Sequence, residues 1–143
     1  MGKLDGKVAI VTGGGTGIGK GIARAFATEG ARVIIASRSE QTLNEVAEEL
    51  GDQVLAVPTD LKVEAQVTAL FERTIAEMGQ LDILVNNSGV FEGAPIEELS
   101  LETWQHVMDV NLTGVFLCTR EAMKIMKQVD GGRIINIGSI SAQ

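Results

Sequence analysis

The sequence is poor in several residue types, and each shortage excludes a class of protein. Its 143 residues include no tyrosine, one histidine and one cysteine, and a lone cysteine cannot form an internal disulfide. Lysine and arginine number 12 against 19 aspartates and glutamates, which gives a net charge of −7. Binding to a phosphate backbone requires clustered basic residues, so nucleic acid is not expected as a partner.

Long apolar runs are also missing. No stretch approaches the roughly 20 apolar residues needed to span a bilayer. The first six residues lack both the apolar core of a secretion signal and the Ser or Thr of a myristoylation signal. We therefore expect no membrane partner and a reducing, cytoplasmic setting. With 45% hydrophobic residues in 143, the chain can bury one sizeable core but has no room for a second domain of ordinary size.

Short β-branched runs alternate with helical patterns. Five runs are apolar on both faces, which is typical of strands covered on both sides. They span 7–12, 32–36, 53–57, 82–86 and 132–137. Three amphipathic segments between them end at Gly30, Gly51 and Gly79, and a longer one runs from 100 to about 129. Ser39 and Ser100 are candidate helix N-caps.

This alternation predicts an α/β fold, a doubly wound and mostly parallel sheet of the Rossmann type with helices on both faces. Ligands of such sheets bind outside the carboxyl ends of the strands, where the strand order reverses. Residues 1–143 would form one dinucleotide-binding domain, truncated after about the fifth strand and so incomplete at its C-terminal end. The final strand would then be an open apolar edge, which favours self-association.

A glycine-rich loop joins the first predicted strand directly to the first predicted helix. Residues 12–19 read Thr-Gly-Gly-Gly-Thr-Gly-Ile-Gly. The glycines permit a tight turn and close backbone approach, and the N-terminus of the helix attracts a pyrophosphate. The spacing fits neither the common dinucleotide fingerprint nor the P-loop. A flexible turn with surplus glycine is the alternative.

The loop resembles the cofactor loop of the short-chain dehydrogenase/reductase family. Residues 86–89, Asn-Asn-Ser-Gly, resemble that family's Asn-Asn-Ala-Gly, Asn111 falls where the family has a helical Asn, and Ser139 falls where it has its catalytic Ser. The likeness covers essentially the whole chain and extends equally to acyl-carrier-protein ketoreductases and sugar dehydrogenases. It implies reduction of a carbonyl, or oxidation of an alcohol, on a small molecule by a homo-oligomer, a dimer or tetramer.

The end of the second predicted strand bears on the choice of dinucleotide. An acid there would accept hydrogen bonds from the ribose hydroxyls of NAD. The sequence instead has Ser37 and Arg38, a hydroxyl and a planar cation suited to a 2′-phosphate. NADP(H) is therefore favoured over NAD(H), and a solvated Arg38 is the alternative. Asp60 and Leu61 resemble the family's adenine-contacting pair, although Asp60 could equally cap a helix.

The resemblance also implies a catalytic Tyr and Lys, a Ser that hydrogen-bonds the substrate oxygen, and an Asn in the proton relay. Ser139 and Asn111 are the candidates for the last two, with a strand-ending hydroxyl and a helix-kinking Asn as the alternatives. Because the sequence has no tyrosine, the family's Tyr-x-x-x-Lys would begin beyond Gln143, and the 143-residue chain alone is predicted to be inactive. His106 is expected to be an ordinary residue of a helix face or an interface, Cys118 is expected to serve packing, and no metal site is predicted.

The predicted cofactor-binding residues are Gly13, Thr16, Gly17, Ile18, Gly19, Ser37, Arg38, Asp60, Leu61, Asn87, Ser88 and Gly89. The leading hypothesis is an NADP(H)-dependent short-chain dehydrogenase/reductase without its Tyr and Lys. A non-catalytic NADP(H)-binding or assembly module is the alternative. A methyltransferase on a related sheet is disfavoured, because it too would need a ribose-binding acid after the second strand.

Overall fold

The computed structural model describes residues 2–89 and 94–138, and strands alternate with helices along them. The strands are β1 (Val8–Thr12), β2 (Arg32–Ser37), β3 (Val54–Pro58), β4 (Ile83–Asn86) and β5 (Arg133–Asn136). The α-helices are α1 (Gly17–Thr28), α2 (Glu40–Leu50), α3 (Glu64–Met78), α4 (Leu101–Met108) and α5 (Gly114–Gln128). A 3₁₀ turn spans Ile96–Glu98. Each strand therefore lies within one residue of its predicted bounds.

The five strands form one parallel sheet in the order β3-β2-β1-β4-β5. Successive strands move from β1 to β3 in one direction, and the chain then returns to place β4 on the other side of β1. The strand order thus reverses between β1 and β4. This arrangement confirms the predicted doubly wound, Rossmann-type fold.

The core lies on both faces of the sheet. Ile10, Ile34 and Leu84 pack against α3 and α5 on one face. The residues that follow them in the strands, such as Val11 and Ile35, pack against α1 and α2 on the other face. Because successive strand residues point to opposite faces, strands covered on both sides must be apolar throughout. The continuous burial of β1 is the clearest case.

Burial along β5 differs from the prediction of a strand covered on both faces. Ile134 packs against the α3 and α5 layer, but Ile135 and Ile137 are 37% and 38% exposed. β5 pairs with β4 only and is the edge of the described sheet. Ile135 points to the same face as its register partner Val85, and on that face α1 and α2 lie over β1, β2 and β3. The apolar pattern located the strand correctly; the exposure departs from two-sided coverage and agrees with the open apolar edge expected for the final strand.

The helical stretch predicted from 100 to about 129 is interrupted. α4 ends at Met108, a π-helical turn spans Asp109–Thr113, and α5 begins at Gly114. Such π turns widen the helix locally and are frequent at functional sites. Asn111 lies within this turn, which agrees with the alternative interpretation of a helix irregularity at that residue. A Cβ on Gly114 would lie 3.0 Å from the Leu61 side chain, so a glycine lets α5 approach the segment after β3.

Both predicted serine caps are present. Ser39 Oγ accepts from the Thr42 amide at 3.3 Å at the start of α2, and Ser100 Oγ accepts from the Thr103 amide at 3.1 Å at the start of α4. Each satisfies one of the backbone N–H groups that a helix leaves without an internal partner. None of the helices within 2–89 and 94–138 has the length and apolarity to cross a membrane.

Cys118 lies fully buried in the α5 contact with the sheet, and burial raises the pKa of its thiol to about 12. Only the thiolate reacts readily with disulfide reagents. We therefore expect no reaction of the folded chain with Ellman's reagent at mildly alkaline pH, and one thiol per chain in guanidinium chloride. Prompt release of one equivalent from the folded chain would contradict the buried position.

Candidate functional site

A cleft of about 390 Å³ opens at the carboxyl ends of β1 to β4. It straddles β1 and β4, the point at which the strand order reverses and ligands of such sheets bind. The cleft is lined by Gly13, Thr16, Gly17, Ile18, Ser37, Arg38, Thr59, Asp60, Leu61, Asn87, Ser88, Gly89 and Val110. All the predicted cofactor-binding residues except Gly19 are among them. The structure therefore brings together side chains from four separate loops.

Gly19 lies beneath the glycine loop rather than in the cleft wall. A Cβ on Gly19 would overlap the Gly13 carbonyl oxygen and crowd Asn87 Nδ2. Gly13 itself has a φ of 65°, and a Cβ there would lie 3.0 Å from the same Asn87 nitrogen. Two positions without side chains thus let α1 approach the loop after β4. The Gly13 amide donates to the Ala36 carbonyl at 2.8 Å, which anchors the loop to β2.

The first turn of α1 faces the cleft through Gly17 and Ile18. Thr16 is the N-cap residue of this 12-residue helix, but its side chain makes no capping hydrogen bond. The first-turn N–H groups therefore lack the side-chain acceptor that a capping Ser or Thr supplies. Ile18 is 66% exposed beside them. Backbone donors that the Thr16 side chain does not cap, a positive helix end and an exposed apolar side chain suit a ligand that has both an anionic and an apolar part.

Ser37 and Arg38 lie at the end of β2. Ser37 is half-buried and Arg38 is exposed, and none of the salt bridges among the described residues involves Arg38. A Cβ on Gly15 would lie 3.8 Å from Ser37 Oγ and 3.1 Å from the Thr42 methyl group. Glycine at position 15 therefore lets the loop lie close to α2 beside Ser37. A guanidinium that makes no salt bridge among the described residues, next to a hydroxyl, can bind a phosphate group.

Asp60 and Leu61 follow β3. α3 begins at Glu64 with Val63 in the N-cap position, so the interpretation of Asp60 as a helix cap is wrong. Asp60 Oδ1 instead accepts from the Lys62 amide at 3.0 Å, and the Asp60 amide donates to Gln66 Oε1 at 2.8 Å. This turn holds the half-buried Asp60 in the cleft wall.

Thr59 directly follows β3 and fixes the C-terminal end of that strand. Its amide donates to the Ser37 carbonyl oxygen at 2.7 Å and its hydroxyl donates to the Val57 carbonyl oxygen at 3.0 Å. The ends of β2 and β3 are therefore tied together at the cleft. Thr59 was not predicted as a site residue, although it directly precedes Asp60.

Thr12 holds the end of β1 against the loop after β4. Its hydroxyl accepts from the Asn87 amide at 2.9 Å and the Ser88 amide at 3.0 Å, and it donates to the Val85 carbonyl at 3.3 Å. Asn87 Nδ2 donates in turn to the Gly13 carbonyl at 3.3 Å. Thr12 is 1% exposed and does not line the cleft. It was part of the recognised loop motif but was not predicted as a site residue; its role is to position the two loops.

Asn86 links β4 to two further elements. Its side-chain nitrogen donates to Thr119 Oγ1 on α5 at 3.2 Å and to Asn136 Oδ1 on β5 at 2.9 Å. Asn86 is 4% exposed, so these hydrogen bonds are shielded from water. The buried amide therefore fixes the end of the edge strand relative to the cleft. In the sequence, the motif at 86–89 is the one feature that indicated a role for Asn86.

Of the two predicted catalytic residues, Asn111 is among the described residues and Ser139 is not. Asn111 lies in the π turn, and its Oδ1 is 3.3 Å from the position that a Cβ on Gly89 would occupy, so it lies beside the cleft rim. Ser139 lies outside the described residues. Val110, 8% exposed, lines the cleft and was not predicted, although it precedes Asn111.

His106 lies on α4 outside the cleft lining. Its Nδ1 is 3.3 Å from Lys62 Nζ, which places α4 against the loop that carries Asp60. This contact between a helix face and a loop agrees with the expectation that His106 is a helix-face or interface residue.

Comparisons with known proteins agree with the geometry. A family model described as short chain dehydrogenase matches residues 7–143. A 3-alpha-(or 20-beta)-hydroxysteroid dehydrogenase of Mycobacterium tuberculosis is 43% identical over 139 residues, which cover 97% of this chain and 54% of that protein. D-threitol dehydrogenase of Mycolicibacterium smegmatis is 41% identical over 143 residues, or 98% and 55% of the two chains. An uncharacterized oxidoreductase of Thermotoga maritima is 43% identical over 142 residues, which cover 97% of this chain and 56% of that protein. The chain thus spans about half the length of these curated relatives.

Proposed function

Because the chain belongs to the short-chain dehydrogenase family, we propose that it provides the dinucleotide-binding region of an NADP(H)-dependent oxidoreductase that interconverts a carbonyl and an alcohol on a small molecule. One observation carries the proposal. A single cleft at four parallel strand ends gathers a glycine loop, a hydroxyl beside a cation that makes no salt bridge among the described residues, and a carboxylate. In one dinucleotide, the glycine loop would match the pyrophosphate, the hydroxyl and the cation would match the 2′-phosphate, and the carboxylate would match the adenine amino group.

The residues of the cleft fit such a cofactor. The position that a Cβ on Gly17 would occupy has no atom of the described residues within 4 Å, and the first turn of α1 offers backbone N–H groups to the pyrophosphate. Asp60 and Leu61 would flank the adenine, and Asn87–Gly89 would line the adenosine side. The bound nicotinamide would supply or accept the hydride.

Ser37 and Arg38 support NADP(H) over NAD(H). The guanidinium of Arg38 is exposed and unpaired among the described residues. Charge-assisted hydrogen bonds between a guanidinium and a phosphate are roughly twice as strong as neutral ones. An acid at Ser37 would repel the 2′-phosphate, and the sequence has none there.

At the reacting end, Asn111 would support a proton relay beside Gly89, and Ser139 would orient the substrate oxygen. The sequence has no tyrosine, so the acid/base that the family resemblance implies is not among these residues. We therefore expect the 143-residue chain to bind NADPH without consuming it in the presence of carbonyl compounds. Leu112 and Phe116, each 59% exposed, support self-association into a dimer or tetramer.

The experiment is a titration of the chain with NADPH and with NADH, followed by the change in nicotinamide fluorescence. We expect Arg38→Ala to weaken NADPH binding about tenfold and NADH binding less than twofold, because only NADPH has the 2′-phosphate. Arg73→Ala is the matched control, since Arg73 pairs with Glu77 on α3 and does not line the cleft. Failure of NADPH to bind would overturn the proposed function. Equal losses for both cofactors would overturn only the 2′-phosphate assignment.

A further inference from the structure

The loop after β3 lies against the helical segment that begins with α4. Three residues of that segment, spaced four apart in the sequence, contact the loop or line the cleft beside it: His106, Val110 and Gly114. His106 Nδ1 is 3.3 Å from Lys62 Nζ, and a Cβ on Gly114 would lie 3.0 Å from the Leu61 side chain. Val110 lines the cleft together with Leu61. One side of the helical segment therefore supports this part of the cleft wall.

The contact between Lys62 and His106 requires a neutral imidazole ring. The Lys62 ammonium group can only donate a hydrogen bond, so Nδ1 of His106 is the acceptor and the ring proton lies on Nε2. In an imidazolium both nitrogens are donors, and two cations 3.3 Å apart repel each other. His106 is half-buried and Lys62 is exposed, so water reaches the contact. The contact is therefore lost when the ring takes up a proton from solution.

Several charged side chains belong to the elements that meet at His106. They are Lys62 and Asp60 on the loop, Glu64 at the start of α3, and Glu102 and Asp109 on the helical segment itself. Glu64 pairs with Arg120, and Asp109 Oδ1 accepts from Gln105 Nε2 at 2.8 Å. None of the salt bridges among the described residues involves His106 or Lys62. Lys62 is thus the charged group that responds most directly to the protonation of His106.

We infer that His106 is a positioning residue for the dinucleotide, and that its neutral ring holds the loop after β3 through Lys62. The Asp60 carboxylate accepts from the Lys62 amide at 3.0 Å, so a displaced Lys62 also displaces this carboxylate in the cleft wall. The inference rests on the proposed function, in which Asp60 meets the adenine amino group. Protonation of His106 frees Lys62 from α4 and weakens the binding of an adenine nucleotide.

The sequence makes this dependence on pH straightforward to assign. His106 is the one histidine among the 143 residues. Histidine is the side chain that ordinarily changes its charge between about pH 5.5 and pH 8. A change in affinity across that range that disappears when His106 is replaced therefore reports this ring.

The test is a calorimetric titration with ADP-ribose at about pH 8 and about pH 5.5. This probe has the adenine and the pyrophosphate of the cofactor but no phosphate monoester, so its own charge stays constant between the two conditions. We expect the unmodified chain to bind about threefold more weakly at the lower pH, the usual effect of one lost hydrogen bond. His106→Asn has an uncharged amide oxygen at the place of Nδ1 and should bind equally at both pH values, as tightly as the unmodified chain does at the higher one.

Two lysine variants separate the contact from a general effect of charge. Lys62→Met keeps the aliphatic stem but has no ammonium group, so it should bind about threefold more weakly than the unmodified chain at about pH 8 and show no further loss at the lower pH. Lys127→Met is the matched control, because Lys127 lies in the last turn of α5, makes no salt bridge among the described residues and does not line the cleft. It should keep the pH dependence of the unmodified chain.

Equal binding by the unmodified chain at both pH values would overturn the inference and leave the proposed function intact. The same holds if His106→Asn or Lys62→Met loses as much affinity at the lower pH as the unmodified chain does. Circular dichroism at both pH values checks the fold, and partial unfolding that accounts for the weaker binding would overturn the inference as well. If neither NADPH nor ADP-ribose binds at either pH, the proposed function itself fails.

Discussion

Replacing Gly19 with alanine is expected to destabilise the fold by about 3 kcal/mol, whereas replacing Gly21, two residues later in α1, is expected to stabilise it by about 0.5–1 kcal/mol. The added Cβ at Gly19 would overlap the Gly13 carbonyl oxygen, which is backbone and cannot move aside alone. The same Cβ at Gly21 would meet nothing within 4 Å. There, alanine only lowers the entropy cost of helix formation.

The free energy of unfolding of both variants is measured by urea unfolding, and their affinity for NADPH is measured by titration. Gly19→Ala should also lose cofactor binding, because the displaced Gly13 lines the cleft. Gly21→Ala should keep the affinity of the unmodified chain. A Gly19→Ala chain as stable as the unmodified one would show that α1 does not approach the loop as closely as described.

Replacing Thr12 with valine is expected to destabilise the fold by about 2 kcal/mol and to weaken NADPH binding. Valine has nearly the same shape but no hydroxyl, so the amides of Asn87 and Ser88 lose their acceptor. The Val85 carbonyl loses a donor as well. Because the two amides are only partly buried, water compensates in part, and the loss is smaller than for two fully buried donors.

Thr12→Ser is the control, since it keeps the hydroxyl and removes one methyl group at a cost of about 1 kcal/mol. Urea unfolding gives the stability of each variant. Hydrogen exchange at the amides of 87 and 88 reports the local effect and should accelerate in Thr12→Val only. Equal exchange in both variants would show that the Thr12 hydroxyl does not hold this loop.

Local sequence patterns were sufficient to predict the strands and the helix caps. β-branched runs bounded by polar residues gave all five strands to within one residue, because a parallel strand must be apolar on both faces. Ser39 and Ser100 were identifiable because capping depends on a residue three positions away. Several residues of the cleft, among them Asp60 and those at 87–89, were predicted from the resemblance to a known family; they meet because parallel strands all end at the same edge of the sheet.

Other features depend on partners that are distant in the sequence. Thr12 contacts residues 73 to 76 positions away, which no local pattern specifies. An open edge was expected at the final strand, but which of its faces is uncovered, as at Ile135, depends on which helices lie over which strands. Val110 reaches the cleft because α4 and the π turn lie against the loop after β3, a tertiary arrangement that helical periodicity does not reveal.

The construction of the cleft from four strand ends links ligand concentration to the stability of the whole chain. A ligand there would contact loops that range from residue 13 to residue 110. A ligand at one hundred times its dissociation constant stabilises a folded chain by about 2.7 kcal/mol through mass action. The melting temperature of a preparation would therefore report how much dinucleotide accompanies it. Two samples of identical sequence would differ in apparent stability when only one had been washed free of cofactor.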